Sequence, residues 1–229
     1  MNSSKAVKML QTTLQNENLL RYSVYGFLII MVLLVSAWVY NKLTLRKKNC
    51  LSLETLYTDF AKVHTINPSN DLYSHDLRDY YIKTAYNACS AGKFKNDFVD
   101  LCALKTCIKQ GVRCLDFEIY SVDNKPVVAT SSVDNYKVKE TYNYVDFDAV
   151  LSTINNYAFS GGTCPNPGDP LIINLRIMSN NTHIYDKMAT DFEKELQNKL
   201  LGPKYSYENH GKNIGQVPLK NLMGKVIVI

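Results

Sequence analysis

The sequence predicts an α/β fold, the first half of a (β/α) barrel, preceded by one transmembrane helix. Three observations carry that expectation: an uninterrupted apolar run near the N-terminus, strand-like and helix-like patterns alternating beyond it, and two strands with a polar face opposite an apolar one. The 229 residues are room for one full domain, or for one domain plus an appendage. With 46% apolar and 21% charged residues the chain is not disordered, and ten Gly and seven Pro exclude collagen-like repeats. Six Cys are too few for a disulfide-scaffold miniprotein of this length.

Tyr22 to Tyr40 is a run of nineteen residues without a charge. As a helix it reaches ~28 Å, enough to cross a hydrocarbon core. Arg21 precedes it, Lys42, Arg46, Lys47 and Lys48 follow, and Tyr22, Tyr25, Trp38 and Tyr40 sit near its ends, where amphipathic rings favour the interface. The net charge of +5 is concentrated here: residues 1–50 hold seven Lys/Arg against one Glu, and residues 51–229 hold nineteen against twenty acidic residues. The basic charge is therefore juxtamembrane and not a nucleic-acid footprint. The expected organisation is a tail over 1–21, the span over 22–40, a basic stalk, short helix and linker over 41–79, and the α/β domain over 80–229. Three Lys/Arg before the span and four after it give only a slight lean toward a cytoplasmic C-terminal domain. Asn180-Asn181-Thr182 is a glycosylation sequon that matters only on a luminal side, so the topology stays open.

Leu53, Leu56 and Phe60 suggest the short stalk helix, ending near Lys62, and residues 64–79 read as the linker. Tyr80–Tyr86 reads as a strand, and Asn96 as the N-cap of a helix carrying Phe98, Leu101, Leu104 and Ile108 up to Gly111. Arg113–Tyr120 alternates Leu115, Phe117 and Ile119 with Cys114, Asp116 and Glu118, so both carboxylates leave the same face. Pro126–Thr130 is a further strand, and Asp146 caps a helix with Phe147, Val150, Leu151 and Ile154. Pro170–Met178 places Asn174 and Arg176 on one face; a helix over 184–201 and a strand over 225–229 follow. Strands alternating with helices indicate parallel βα units, and a polar inner face suits a barrel mouth. A full barrel takes ~250 residues. Only about 150 follow the linker, so roughly 100 more βα-patterned residues beyond Ile229 would be needed to close it.

Several blocks, in order, resemble the X region of phosphatidylinositol-specific phospholipase C. Tyr81 to Asn87 (YIKTAYN) is similar to the family's first-strand string of Ile-Asn-Thr-Ser-His-Asn type. Gly111 to Glu118 (GVRCLDFE) resembles its Gly-Cys-Arg-Cys-Val-Glu-Leu-Asp strand, and Phe147 to Phe159 its following helix. Pro170–Met178 stands where the family has Pro-Val-Ile-Leu-Ser-Leu-Glu-Asn-His, and Pro218 to Val228 looks like the closing segment. The resemblance implies a barrel in which two His serve as base and acid and, in eukaryotic-type members, Ca²⁺ is held by Asn and carboxylate oxygens.

Carried over residue by residue, the two His positions are Tyr86 and Thr130. The metal-site equivalents are Asn87, Asp116, Glu118 and, where a third carboxylate is expected, Arg176. The resemblance thus implies a degenerate catalytic site, in which the Arg176 guanidinium replaces the metal as counter-charge to Asp116 and Glu118. His183, after the Arg176 strand, is the candidate for a relocated base; His64, His75 and His210 read as surface residues. The spacing of Cys102, Cys107 and Cys114 matches no zinc pattern, and Cys89 and Cys164 are the bridge candidates in an oxidising compartment. Tyr136, Tyr142 and Tyr144 read as surface-packed.

The expected function is a membrane-anchored, catalytically degenerate X-like domain with a scaffolding or lipid- or partner-binding role. No cofactor is expected, and the partners are membrane lipids and a protein completing or covering the half-barrel, without nucleic acid. One alternative is an active phosphoric diester hydrolase on inositol phospholipids with a rebuilt acid/base pair, the only case that would need Ca²⁺. Another is a structural membrane protein of a virion. Twenty-one Lys against five Arg, with twenty-two Asn and sixteen Tyr, suit an AT-rich genome such as some large DNA viruses have.

Overall fold

The computed structural model describes all residues except 1–4, 6, 10, 13–16, 134–136, 207 and 209–212. It divides into two units, Met1–Leu45 and Arg46–Ile229. Helix α1 (Glu17–Leu56) makes up most of the described part of the first and continues into the second. It is long and apolar enough to cross a membrane, and side chains such as Leu33 and Trp38 are more than 60% exposed along it. The sequence predicts a separate stalk helix around Leu53–Lys62. No Gly or Pro interrupts residues 41–56, so the helix runs through to Leu56 instead, and Phe60 lies beyond its end.

The second unit contains β1 (Thr84–Ala85), α2 (Leu101–Lys109), β2 (Cys114–Val122), β3 (Lys125–Ala129), β4 (Val145–Asp146), α3 (Phe147–Tyr157), β5 (Leu171–Ile177), α4 (His183–Leu196) and β6 (Val226–Val228). Among the described residues they form one mixed sheet in the order β4-β3-β2-β5-β6, with β1 also paired to β2. β1, β5 and β6 join parallel neighbours, whereas β3 runs antiparallel to both β2 and β4. This corrects the expectation of parallel units throughout. Only Asp123 and Asn124 separate β2 from β3, and both take positive φ (50° and 61°). A two-residue connection of that conformation closes a hairpin and cannot make a parallel crossover.

Other boundaries shift for local reasons. β1 is shorter than Tyr80–Tyr86 because its register reaches the first residue of β2 at Thr84↔Cys114. Upstream partners would fall in the turn through Gly111 (φ 72°) that closes α2. The cap of α2 is Asp100, which accepts the Cys102 N–H at 2.8 Å, and not Asn96, which holds φ 55°. α4 ends at Leu196 because Lys199 and Leu201 exchange backbone hydrogen bonds with Val226.

The apolar faces of β2 and β5 and the inner faces of α2, α3 and α4 form the main core. Leu115, Phe117, Ile119 and Ile173 are fully buried there, each worth about 1.5–3 kcal/mol of transfer free energy. A second core gathers Leu77, Val217, Leu219, Leu222 and Ile227, with Ile66, Ile82 and Ile172 packed against it. Segment 64–79 is therefore docked and is not a free linker. Leu77 N–H bonds Val217 O, and the Asp169 carboxylate accepts the Ile66 N–H at 2.8 Å.

Buried Arg113, unremarked in the sequence, ties the barrel floor together. It donates to the carbonyls of Ala158, Asp169 and Pro170, thereby joining β2 to the end of α3 and the start of β5. The disulfide is Cys50–Cys102. Cys89 and Cys164, the expected bridge candidates, are buried and unpaired. The Cys164 thiol is engaged by Arg113 Nη1 at 3.6 Å and by Asn166 Oδ1 at 3.4 Å, and Cys89 belongs to the apolar core.

Candidate functional site

The polar face of the sheet follows from strand alternation. Along β2 it carries Asp116, Glu118 and Tyr120, and along β5 it carries Ile172, Asn174 and Arg176. The parallel register sets Asp116 beside Asn174 and Glu118 beside Arg176. Ile172 faces the second core, so the apolar end of this face is closed and the polar groups collect toward the C-terminal end of β5, with Asp116 and Glu118 of β2 beside them. That is where barrel enzymes place their sites.

Arg176 is the hub. Its Nη2 donates to Asp116 Oδ1 at 2.7 Å and to Asn87 Oδ1 at 2.9 Å, Nε to Asp116 Oδ2 at 3.0 Å, and Nη1 to Glu118 Oε1 at 3.0 Å. Asn87, held at φ 50° just after β1, donates its backbone N–H to Asp116 Oδ1 at 3.1 Å and its Nδ2 to Glu118 Oε1 at 3.1 Å. Asn174 Nδ2 donates to Asp116 Oδ2 at 2.6 Å. Glu118 Oε2 accepts the Tyr120 hydroxyl at 2.7 Å and the Ser131 N–H at 2.9 Å. The half-exposed Tyr86 ring lies over the guanidinium, 4.3 Å from Cζ to centroid, and is itself braced edge-on by Phe94.

The electrostatics follow from that geometry. Desolvation alone would lower the Arg176 pKa, but the hydrogen bond and charge of Asp116, with the charge of Glu118, outweigh it and hold it above its usual value. Tyr120 is pushed well up, first by burial and then by Glu118, so it stays protonated as a donor. Every carboxylate oxygen of Asp116 and Glu118, and Asn87 Oδ1, already accepts an N–H or O–H. As the side chains stand, this donor set does not fit a calcium ion, because a fixed cation fills its centre.

Of the residues singled out in the sequence, Tyr86, Asn87, Asp116, Glu118 and Arg176 meet in one cluster. Thr130 is buried at the end of β3, where its hydroxyl donates to Phe94 O at 3.0 Å, apart from the guanidinium network. His183 stands exposed in the first turn of α4, outside the network. His64, His75, Tyr142 and Tyr144 are exposed, whereas His210 and Tyr136 lie outside the described residues. The sequence reading missed Tyr120 and Ser131. Continuing the 114, 116, 118 alternation by one step identifies Tyr120; Ser131 acts through its backbone and leaves no signal in its side chain.

The sequence model of the family described as phosphatidylinositol-specific phospholipase C, X domain, matches residues 73–229. The chain belongs to that family. The X domain is 27% identical over 142 residues to 1-phosphatidylinositol 4,5-bisphosphate phosphodiesterase 1 of Saccharomyces cerevisiae, covering 61% of this chain and 15% of the yeast protein. Its fold is similar to the crystal structures of PLC21 from L. pealei and S. officinalis, each at a TM-score of 0.54 and 16% identity. These matches cover 68% of this chain and 19% and 18% of those chains. At that identity the likeness establishes the fold, a phospholipase-C-type α/β half-barrel. The match spans less than a fifth of the length of each of these three relatives. Membership of the X-domain family and the occupied centre of its polar face therefore stand together as the features that any function must accommodate.

Proposed function

We propose that this chain is a membrane-anchored phospholipase-C X domain that binds at the membrane and does not hydrolyse, with Tyr22–Tyr40 as its anchor. The observation supporting it is the Arg176 guanidinium, bonded at once to Asp116, Glu118 and Asn87. Cleavage of an inositol phospholipid requires a base for the attacking hydroxyl and an acid for the leaving oxygen. The corresponding positions hold Tyr86 and Thr130. Neither a phenol nor an alkyl hydroxyl is by nature the near-neutral acid and base that an imidazole is. The internal cation neutralises the carboxylates in place of a metal, which keeps the family's fold without a need for calcium.

The work left to such a domain is recognition of lipid headgroups or of a protein partner beside the bilayer. The name of the yeast relative points to phosphoinositides as the headgroup class. Full-length chain reconstituted in vesicles containing phosphatidylinositol and its 4,5-bisphosphate, with calcium present, is expected to release no inositol phosphate above the protein-free background. Turnover above that background that is lost in Asp116→Asn would overturn the proposal in favour of a rebuilt acid/base pair.

A further inference from the structure

We infer that the Arg46–Ile229 unit faces an oxidising, luminal compartment and that Asn180 is an N-glycosylation acceptor there. The inference rests on the proposed anchor at Tyr22–Tyr40 and is independent of whether the domain turns over lipid.

The first observation is the Cys50–Cys102 disulfide, which spans 52 positions. It joins the continuation of α1 to the first turn of α2, and both cysteines belong to the second unit. Disulfides persist in oxidising compartments and are rare in the cytosol. The two segments are matched apart from the bridge. Asp100, the α2 cap, accepts the Cys102 N–H at 2.8 Å and pairs with Arg46 Nε at 2.5 Å, one turn before Cys50. Cys50, Asp100 and Cys102 also bring their ligand atoms within 4.8 Å of one another, a grouping that would suit zinc in a reducing compartment. The bonded sulfurs and the engaged Asp100 oxygens favour the disulfide. The remaining thiols suit the same assignment. Burial pushes Cys107 up to about 11 and raises Cys89 and Cys114 as well, which keeps them as poorly nucleophilic thiols; Cys164 is fully buried.

The second observation is independent of the first. Asn180-Asn181-Thr182 is a sequon, and it lies in the loop between β5 and α4. Asn180 and Thr182 are exposed there. Asn181, by contrast, is fixed to the fold by its Nδ2, which donates to Ser121 Oγ at 2.9 Å and Asn124 Oδ1 at 2.8 Å. Asn180, the acceptor position of the sequon, has its Oδ1 held by exposed Lys137 Nζ, a surface contact that involves neither its Nδ2 nor the β2–β3 hairpin. Against these two observations, a margin of one basic residue across the span carries little weight.

Each covalent step balances. The two thiols lose two protons and two electrons to the disulfide of a thiol oxidoreductase, which becomes a dithiol. At Asn180, Nδ2 forms a bond to the anomeric carbon of a polyprenyl-diphosphate-linked oligosaccharide. The sugar–diphosphate C–O bond breaks, the diphosphate leaves with the lipid, and Nδ2 loses one proton.

The test is expression of the full chain in a eukaryotic secretory system, read by peptide-N-glycosidase mobility shift, thiol counting with a maleimide in denaturant, and alkaline carbonate extraction. The expected result is a carbonate-resistant protein with one glycan and four reactive thiols, rising to six after reduction. The glycan should be lost in Asn180→Gln and Thr182→Ala and retained in Thr182→Ser. A carbonate-resistant protein without a glycan and with six reactive thiols, with or without bound zinc, overturns the inference. Release by carbonate with glycan and disulfide present overturns the anchor instead and leaves the luminal assignment supported.

Discussion

Arg176 and Arg113 show how one residue type serves two ends of the same sheet. Arg176 compensates the charge of Asp116 and Glu118, whose side chains are only 6% and 1% exposed. Removing it leaves two buried carboxylates without a cation, so Arg176→Ala is expected to lower unfolding free energy by about 3–5 kcal/mol. Denaturant titration of the chain in detergent measures this, and adding Glu118→Gln to the variant should recover part of the loss. The proposed metal replacement makes a sharper claim. Calcium should leave the melting temperature of the parent unchanged, whereas Arg176→Glu, which restores a carboxylate at that position, should gain calcium-dependent stabilisation. Stabilisation of the parent by calcium would refute the replacement. Arg113 binds backbone carbonyls instead of carboxylates. Its pKa is lowered by burial, against which Cys164 and Asp169 act. Arg113→Ala orphans those buried carbonyls at about 1–3 kcal/mol each and is expected to reduce stability without altering the response to calcium.

At the scale of elements, connection length decided the sheet. Asp123-Asn124 permits only a hairpin, and the hairpin in turn delivers Ser131 N–H to Glu118. Asp123→Val places a β-branched side chain at φ 50° and is expected to cost about 1 kcal/mol or more, read as a shift in denaturant midpoint at constant slope. The Cys50–Cys102 bridge closes a loop of 52 positions. In the chain-entropy account a loop of that size is worth about 4 kcal/mol. Cys50→Ser should therefore lower the melting temperature by roughly the same amount as reducing the parent, and reduction should then have no further effect on the variant.

For the whole molecule, pH links the rim of the site to stability. Glu140 accepts from Lys95 Nζ at 2.8 Å and from the Ser132 N–H at 2.7 Å. The Lys95 hydrogen bond, followed by those of Ser132, holds its pKa at about 2, below the usual 4.5. A folded pKa below the unfolded one contributes stability that is fully present above about pH 4.5 and disappears as pH falls toward about 2. The stability difference between the parent and Glu140→Gln is expected to shrink across that window; a constant difference down to the lower limit would show that Glu140 is not so held.

Much of the candidate site was legible in the sequence because strand alternation is a local property. Asp116, Glu118, Asn174 and Arg176 follow from period two alone, and the motif order placed Asn87 beside them. The disulfide was not legible, since Cys50 lies on a helix remote in sequence from Cys102 and only packing brings them to bonding distance. The docking of segment 64–79 was hidden for the same reason: its Pro, Asn and Ser residues have turn chemistry, and its Ile66 and Leu77 join a core with residues as remote in sequence as Val217, Leu219, Leu222 and Ile227. By itself, then, the sequence determined the apolar span, the α/β class and the polar strand faces, because burial period and charge are written residue by residue. The counter-charge role of Arg176 was expected from the motif positions, and the structure supplied its contacts with Asp116, Glu118 and Asn87. Only the tertiary structure decided that Cys50 meets Cys102 and that segment 64–79 docks, because both depend on contacts between segments whose register no local pattern encodes.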